Sequence, residues 1–208
     1  MADVHVLSDV AAGIHLARLR DVATPPASFQ RHARAMGALL AHVAVRDLPT
    51  RSTTVTTPLG PANAVEPAHP IVAVPILRAG LGLLAGLQDL LPTASVGMIG
   101  LERDPVTHEP IEYYRKLPPL DDAWVLLLEP MLATGGSAAV AAEALAKAGA
   151  ARVCVLAVVA TQVAIDRISD RVPDVRVVTA AIDGDLDENA YIVPGLGDFG
   201  DRLFATPH

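Results

Sequence analysis

One run of the chain concentrates the groups able to hold a charged ligand: Glu129-Pro130-Met131-Leu132-Ala133-Thr134-Gly135-Gly136-Ser137. Gly135 and Gly136 allow close approach to the backbone, because no Cβ stands between a ligand and the amides. Thr134 and Ser137 add hydroxyl donors at the same place. Amides gathered ahead of a helix point at an anion, so the loop reads as a phosphate cradle. The carboxylate of Glu129 suits a pair of vicinal hydroxyls, and a ligand with phosphate and ribose together would use both. No Lys follows the glycines and there is no Gly-x-Gly-x-x-Gly, so neither a Walker A loop nor a dinucleotide fingerprint is present. An ordinary tight turn would explain Thr-Gly-Gly-Ser alone; the acidic residue before it and the hydroxyl after it favour the cradle. A second candidate is Arg78-Ala79-Gly80-Leu81-Gly82, where the arginine offers a fork of donors matched to a pyrophosphate. A solvent-facing arginine on a plain connection is the alternative there. Arg103 opens a third polar stretch, as a ligand contact or a solvated charge.

Each candidate loop follows an element that can position it. Trp124 to Leu128 is a short, bulky apolar run, read as a strand buried on both faces. Ala138 to Ala148 is alanine-dense and reads as a helix that Gly149 terminates. Ile71 to Leu77 is a second core strand running straight into Arg78. In a parallel sheet the carboxyl ends of such strands share one edge, so both loops can face one ligand. Ser95 to Gly100, Arg152 to Ala160 and Val175 to Ala180 read as further strands, and Gln162 to Arg171 as a helix. This alternation from 71 to 180 predicts an α/β core with a parallel sheet flanked by helices.

The flanks read differently. Residues 1–50 are expected to be helical and peripheral, with helices over Val10–Leu19 and Ser28–Val45 separated by Pro25-Pro26. Thr50 to Pro58 is a Thr/Val-rich arm of the kind that pairs with another subunit, and 60–70 reads as proline-rich loop. Residues 101–121 alternate charge and proline and are expected to form a mobile lid. His108 lies within that stretch as an exposed residue, with no paired ligand set to make it a metal site.

Composition bounds the function. The 208 residues can bury one good core, read as a single domain with an N-terminal part (1–70), a core (71–180) and a C-terminal segment (181–208). Hydrophobic residues make up 51%, but only three Phe, three Tyr and one Trp are present, so the core is aliphatic. A net charge of −7 argues against a nucleic-acid binder, and a polyanionic ligand must then be held by a few local cations. Cys154 is the only cysteine and sits in an apolar run, which excludes a disulfide within the chain and a cysteine-based metal site. The start lacks the pattern of a signal peptide and no apolar run approaches a membrane span, so a soluble cytoplasmic protein is expected.

Three motifs in order carry a family resemblance that covers nearly the whole chain. Glu129-Pro-Met-Leu-Ala-Thr-Gly-Gly-Ser137 is similar to the phosphoribosyl-pyrophosphate (PRPP) loop of uracil phosphoribosyltransferases. Pro75-Ile-Leu-Arg-Ala-Gly-Leu-Gly82 resembles that family's pyrophosphate loop, and Tyr191-Ile-Val-Pro-Gly-Leu-Gly-Asp-Phe-Gly-Asp201 its uracil-reading ending. Arg103, Glu109-Pro110 and Lys116-Leu-Pro118 match its lid. The resemblance implies the type I phosphoribosyltransferase fold with a C-terminal hood, and the reaction of uracil with PRPP to give UMP and pyrophosphate. It implies that Arg78, Arg103 and Asp198 are catalytic, with PRPP held by these residues and by Glu129 to Ser137. Uracil would be read by Ile192, Gly197, Asp198 and Phe199, in part through backbone groups. Mg²⁺ would be held through PRPP rather than by side chains. A GTP effector and a homodimer or homotetramer are also implied.

The chain departs from the family pattern at four places. Glu129 stands where Asp is usual, Thr161-Gln-Val-Ala164 where Ala-Pro-Glu-Gly is common, and His42-Val-Ala-Val45 where Tyr-Glu-Ala-Thr is usual. Phe199 replaces a small Ala beside the uracil site, so its ring either turns away or changes the base site. Two other functions therefore compete with uracil transfer: a paralogue using another base or ring acceptor, and a non-catalytic PRPP- or nucleotide-binding regulator.

Overall fold

The computed structural model describes residues 3–103 and 110–206, without the side chain of Arg103. The chain opens with β1 (Asp3–Val6), α1 (Val10–Arg20) and α2 (Pro26–Ala44), followed by the hairpin β2 (Thr50–Thr57) and β3 (Gly60–Pro67). Next come β4 (Ile71–Leu77), α3 (Leu81–Leu90), β5 (Ser95–Val96), β6 (Met98–Arg103) and β7 (Pro110–Lys116). The chain continues through β8 (Trp124–Leu128), β9 (Met131–Leu132), α4 (Gly136–Lys147), β10 (Arg152–Thr161), α5 (Gln162–Arg171) and β11 (Arg176–Asp183). It closes with β12 (Asp185–Leu186), β13 (Ile192–Val193) and α6 (Phe199–Phe204).

The main sheet runs β1-β11-β10-β8-β4-β6-β7, parallel throughout except for the antiparallel β6–β7 pair. Successive side chains of a strand point to opposite faces, and here both faces are covered. Ile71, Ala73, Leu126, Leu128, Cys154 and Leu156 pack with Leu19, Phe29, Met36, Leu40, Leu83 and Leu87 of α1 to α3. Their neighbours Val72, Val74, Val125, Leu127, Val153 and Val155 pack with Ala138, Ala142 and Leu145 of α4 and Ile165 and Ile168 of α5. Burial on two faces explains why these strands are continuous apolar runs. Each fully buried Val or Leu contributes roughly 1.5–3 kcal/mol.

The connections locate the site. After β4 the chain crosses through α3 to β6, on one side of the sheet; after β8 it crosses through α4 to β10, on the other. The order reverses between β4 and β8, so the two loops diverge and open a crevice at the carboxyl ends of the strands.

Three expectations change. Residues 1–50 are not wholly helical: β1 joins the sheet edge parallel to β11, and Arg152 and Arg176 both approach Asp3, at 2.9 and 3.6 Å. The stretch 60–70 is not a loop, because Gly60–Pro67 is the second strand of the hairpin. Pro61 and Pro67 stand opposite Thr56 and Thr50, near the two ends of a two-stranded ribbon, where missing N–H groups are tolerated. The expected lid is flanked by the paired strands β6 and β7 rather than by irregular chain; its residues 104–109 lie outside the described residues. Nor are residues 1–50 all peripheral: α2 buries Phe29, Ala33, Met36, Leu40 and Ala41 in the core.

Candidate active site

A cleft of about 300 Å³ lies at the crevice between β4 and β8. Ala79 comes to it from the loop after β4, and Glu129, Met131 and Ala133 from the loop after β8. Asn189, Ala190, Tyr191, Ile192, Gly197, Asp198, Phe199 and Gly200 close it from the C-terminal segment. The three sequence motifs therefore meet in one space, which is at the lower end of the range for small-molecule sites.

The loop after β8 packs closely on the start of α5. Gly135 caps α4 in the left-handed region at φ 74°, and a Cβ there would stand 2.8 Å from the backbone of Ala164. Only glycine meets both conditions. Thr161, one of the departures from the family pattern, has a structural role here. Its hydroxyl donates to the Ala133 carbonyl at 2.6 Å and accepts from the Ala164 N–H at 3.1 Å, so one side chain caps α5 and ties that helix to the loop.

Glu129 is partly exposed in the open cleft, but its carboxyl is pushed up to about 8. Burial is the main cause; a hydrogen bond from the Met131 backbone opposes it, and the nearby charge of Asp198 adds to it. Asp198 also accepts from the Asp201 N–H at 2.8 Å, as the N-cap of α6. Both residues line the cleft, and the charge of Asp198 disfavours ionisation of Glu129, a cost that a bound cation would relieve.

The chain leaves β4 through a cis Leu77–Arg78 bond. Gly80 is required by proximity, since a Cβ there would lie 2.4 Å from the Leu128 carbonyl oxygen. The Arg78 guanidinium does not line the cleft. It turns to α6, 3.2 Å from Asp201 and 5.7 Å over the Phe204 ring, with 56% of its side chain exposed. Such a pair is worth 0–1 kcal/mol and is readily exchanged.

Phe199 borders the cleft, but its ring faces the core. The residue is 1% exposed, packs edge-to-face on Phe29 with centroids 5.0 Å apart, and rests on Gly82, where a Cβ would stand 2.7 Å from the ring. Of the two outcomes expected for the replacement of Ala by Phe, the ring turns away. Arg103 ends β6, and its side chain, with His108 and Glu109, lies outside the described residues. Sequence reasoning missed Arg167 on α5, whose Nη1 would be 3.3 Å from a Cβ at Gly136 and so lies beside the glycine loop that opens α4. Its place on the far side of a strand and helix gives no local signal.

The model of the family described as uracil phosphoribosyltransferase matches residues 6–206. A uracil phosphoribosyltransferase of Thermus thermophilus is 47% identical over 193 residues, covering 92% of this chain and 93% of its own. One from Halalkalibacterium halodurans is 42% identical over 208 residues, covering 99% and 100%. Among solved structures, a protein from Aquifex aeolicus superposes with a TM-score of 0.93 at 33% identity, over 97% of this chain and 98% of its own. A hypoxanthine phosphoribosyltransferase from Staphylococcus aureus shares the fold alone, with a TM-score of 0.52 at 14% identity over 76% of each chain.

Proposed function

The chain belongs to the uracil phosphoribosyltransferase family, and from that premise we propose how its cleft converts uracil and PRPP into UMP and pyrophosphate. The observation that carries the reading is the meeting of Glu129, Ala79 and the 189–200 segment in one cleft at the reversal of strand order. The N-terminal turn of α4, with Thr134 to Ser137, holds the 5′-phosphate, and Arg167 adds positive charge beside it. Glu129 accepts from the ribose hydroxyls. Arg78 exchanges Asp201 for the pyrophosphate, a short swing for an exposed side chain. Arg103, implied by the family likeness, joins it from the end of β6. Ile192, Gly197 and Phe199 present backbone groups to uracil, and Asp198 faces PRPP.

Breaking the bond between ribose C1 and pyrophosphate builds positive charge on the sugar and negative charge on the leaving group. Glu129 and Asp198 are placed to favour the first, and Arg78 the second. Positioning of the uracil N1 against C1 does the remainder, with no covalent nucleophile. Among the described residues no group of three or more His, Cys, Asp or Glu side chains is gathered to hold a metal. By the family likeness Mg²⁺ would be held through PRPP, with the carboxyl groups of Glu129 and Asp198 in the same cleft, and it would supply neutralisation of the leaving-group charge. The family likeness extends the proposal to a homo-oligomer and a GTP effector. No described helix is long and apolar enough to cross a membrane; PRPP is too highly charged to cross one unaided, and a cytoplasmic enzyme follows from its use.

The test is pyrophosphate release from PRPP with Mg²⁺ against a panel of bases, with and without GTP. Uracil is expected to be the preferred acceptor. Turnover with another base and none with uracil would overturn the reading. The case for a different acceptor rested on Phe199 and Glu129; the Phe199 ring lies in the core, whereas Glu129 lines the cleft, so the base panel is the test of that alternative.

A further inference from the structure

The cleft read as the base site is walled in part by residues of the 189–200 segment, which carries two glycines at positive φ, Gly195 at 51° and Gly197 at 78°. Such a loop has many conformations open to it. Reading a flat base through N–H and C=O groups requires those groups to be fixed to within about half an ångström. Something outside the loop must fix them.

The fixing groups come from the end of α1. Arg20 Nη1 donates to Asp183 Oδ2 and to the Gly195 carbonyl, both at 2.8 Å, and Nη2 donates to Asp183 Oδ1 at 2.8 Å. Asp183 Oδ2 in turn accepts from the Gly195 N–H at 2.9 Å. Both polar groups of Gly195 are thus held by one ion pair, which joins the last residue of α1 to the last residue of β11. The next residue is gripped from the same side: Arg202 Nη1 donates to the Leu196 carbonyl at 2.7 Å and to the Leu19 carbonyl, and Nη2 donates to the Asp21 carbonyl at 2.6 Å. Ile192 and Gly197, on the cleft wall, flank this clamped pair of residues.

We propose that Arg20 is a positioning residue for the uracil site, acting through the Gly195 peptide and the Asp183 carboxylate. The Asp183 side chain is only 7% exposed. A buried ion pair of this kind roughly breaks even in stability against an apolar replacement, so its value lies in the geometry it imposes. The fork of Arg20 is needed because two acceptors must be met from one direction. The phosphate cradle is tied down separately, through Thr161 and Ala133. Loss of the Arg20 fork should therefore fall on the base and spare PRPP.

The inference rests on reading residues 191–200 as the base wall, and the experiment separates the two. Uracil turnover is first measured for the wild-type protein; its absence sinks the functional reading. Arg20→Lys and Arg20→Ala are then compared for uracil KM and kcat, for the PRPP dissociation constant by direct titration, and for Tm. Arg20→Ala leaves Asp183 unpaired and is at risk of not folding, whereas Arg20→Lys keeps the charge and removes only the fork. For Arg20→Lys the uracil KM should rise about tenfold, well within the hundredfold that a 1 Å misplacement can cost. PRPP affinity should stay within twofold and Tm close to wild type. A uracil KM within twofold of wild type, or an equal loss of uracil and PRPP binding, would overturn it.

Discussion

Glu129 and Asp198 line one cleft, and there the charge of one side chain bears on the ionisation of another. Burial and the proximity of Asp198 push the Glu129 carboxyl up to about 8 from an ordinary 4.5. A group whose pKa is raised on folding stabilises the native state below its unfolded value, and that contribution is lost as pH rises through the folded value. Wild-type stability should therefore decline between about pH 4.5 and pH 8 relative to Glu129→Gln. In thermal scans at pH 8.5 the variant should melt higher, by about 2–4 °C for each kcal/mol regained, while losing turnover. An equal Tm at pH 8.5 would show the carboxylate to be well solvated. Phe199 gives the opposite case, a residue beside the site that serves the core. Phe199→Ala empties a volume packed by Phe29 and Gly82 and should cost about 3–5 kcal/mol in denaturant unfolding. A faster uracil turnover with unchanged stability would instead put the ring in the base pocket. Arg78→Ala removes the weak ion pair with Asp201 and the contact with the Phe204 ring, and should weaken PRPP at least tenfold (about 1.4 kcal/mol) with Tm little changed; calorimetric titration decides this.

At the scale of elements, the site depends on helices that hold a loop they do not contain. Thr161 both caps α5 and fixes Ala133. Thr161→Ala should lose about 1 kcal/mol of stability, as cap deletions do. On the proposed assignment of the site it should also raise the PRPP KM with little effect on the uracil KM, because Ala133 and Gly195 are anchored by different groups. Parallel changes in both constants would mean that the departure from the family pattern at 161–164 acts through the whole sheet.

On the scale of the molecule, the pair at the end of α1 links acid stability to the fold. Asp183 is held below its ordinary 3.8 by the hydrogen bonds of Arg20, with burial opposing and the Gly195 N–H assisting. A depressed carboxylate contributes stability above its unfolded value and loses it as pH falls through the folded one. Tm measured from pH 6 to pH 3 should therefore drop more steeply in wild type than in Asp183→Asn once below about pH 4. The β2–β3 hairpin leaves Val55, Leu59 and Val65 exposed, as an arm that packs on a second copy would. Light scattering at micromolar concentration should find at least a dimer, and a monomer would refute the assembly.

Local pattern was enough for the central elements. Ile71–Leu77 and Trp124–Leu128 are apolar throughout because both faces of the sheet are covered, and Gln162–Arg171 repeats its apolar positions at helical spacing, so those boundaries could be read directly. The reading of 134–137 and Arg78 as anion loops likewise used chemistry that lies within a few residues of chain, and PRPP titration is what tests it. β1 was not legible, because four residues of alternating polarity become a strand only by pairing with β11, far along the sequence. The direction of the Phe199 ring depended on Phe29 and Gly82, and the place of Arg167 beside Gly136 on the packing of α5 against α4. Tertiary structure decided these because a side chain takes the space that distant segments leave it, and local spacing carries no record of that space.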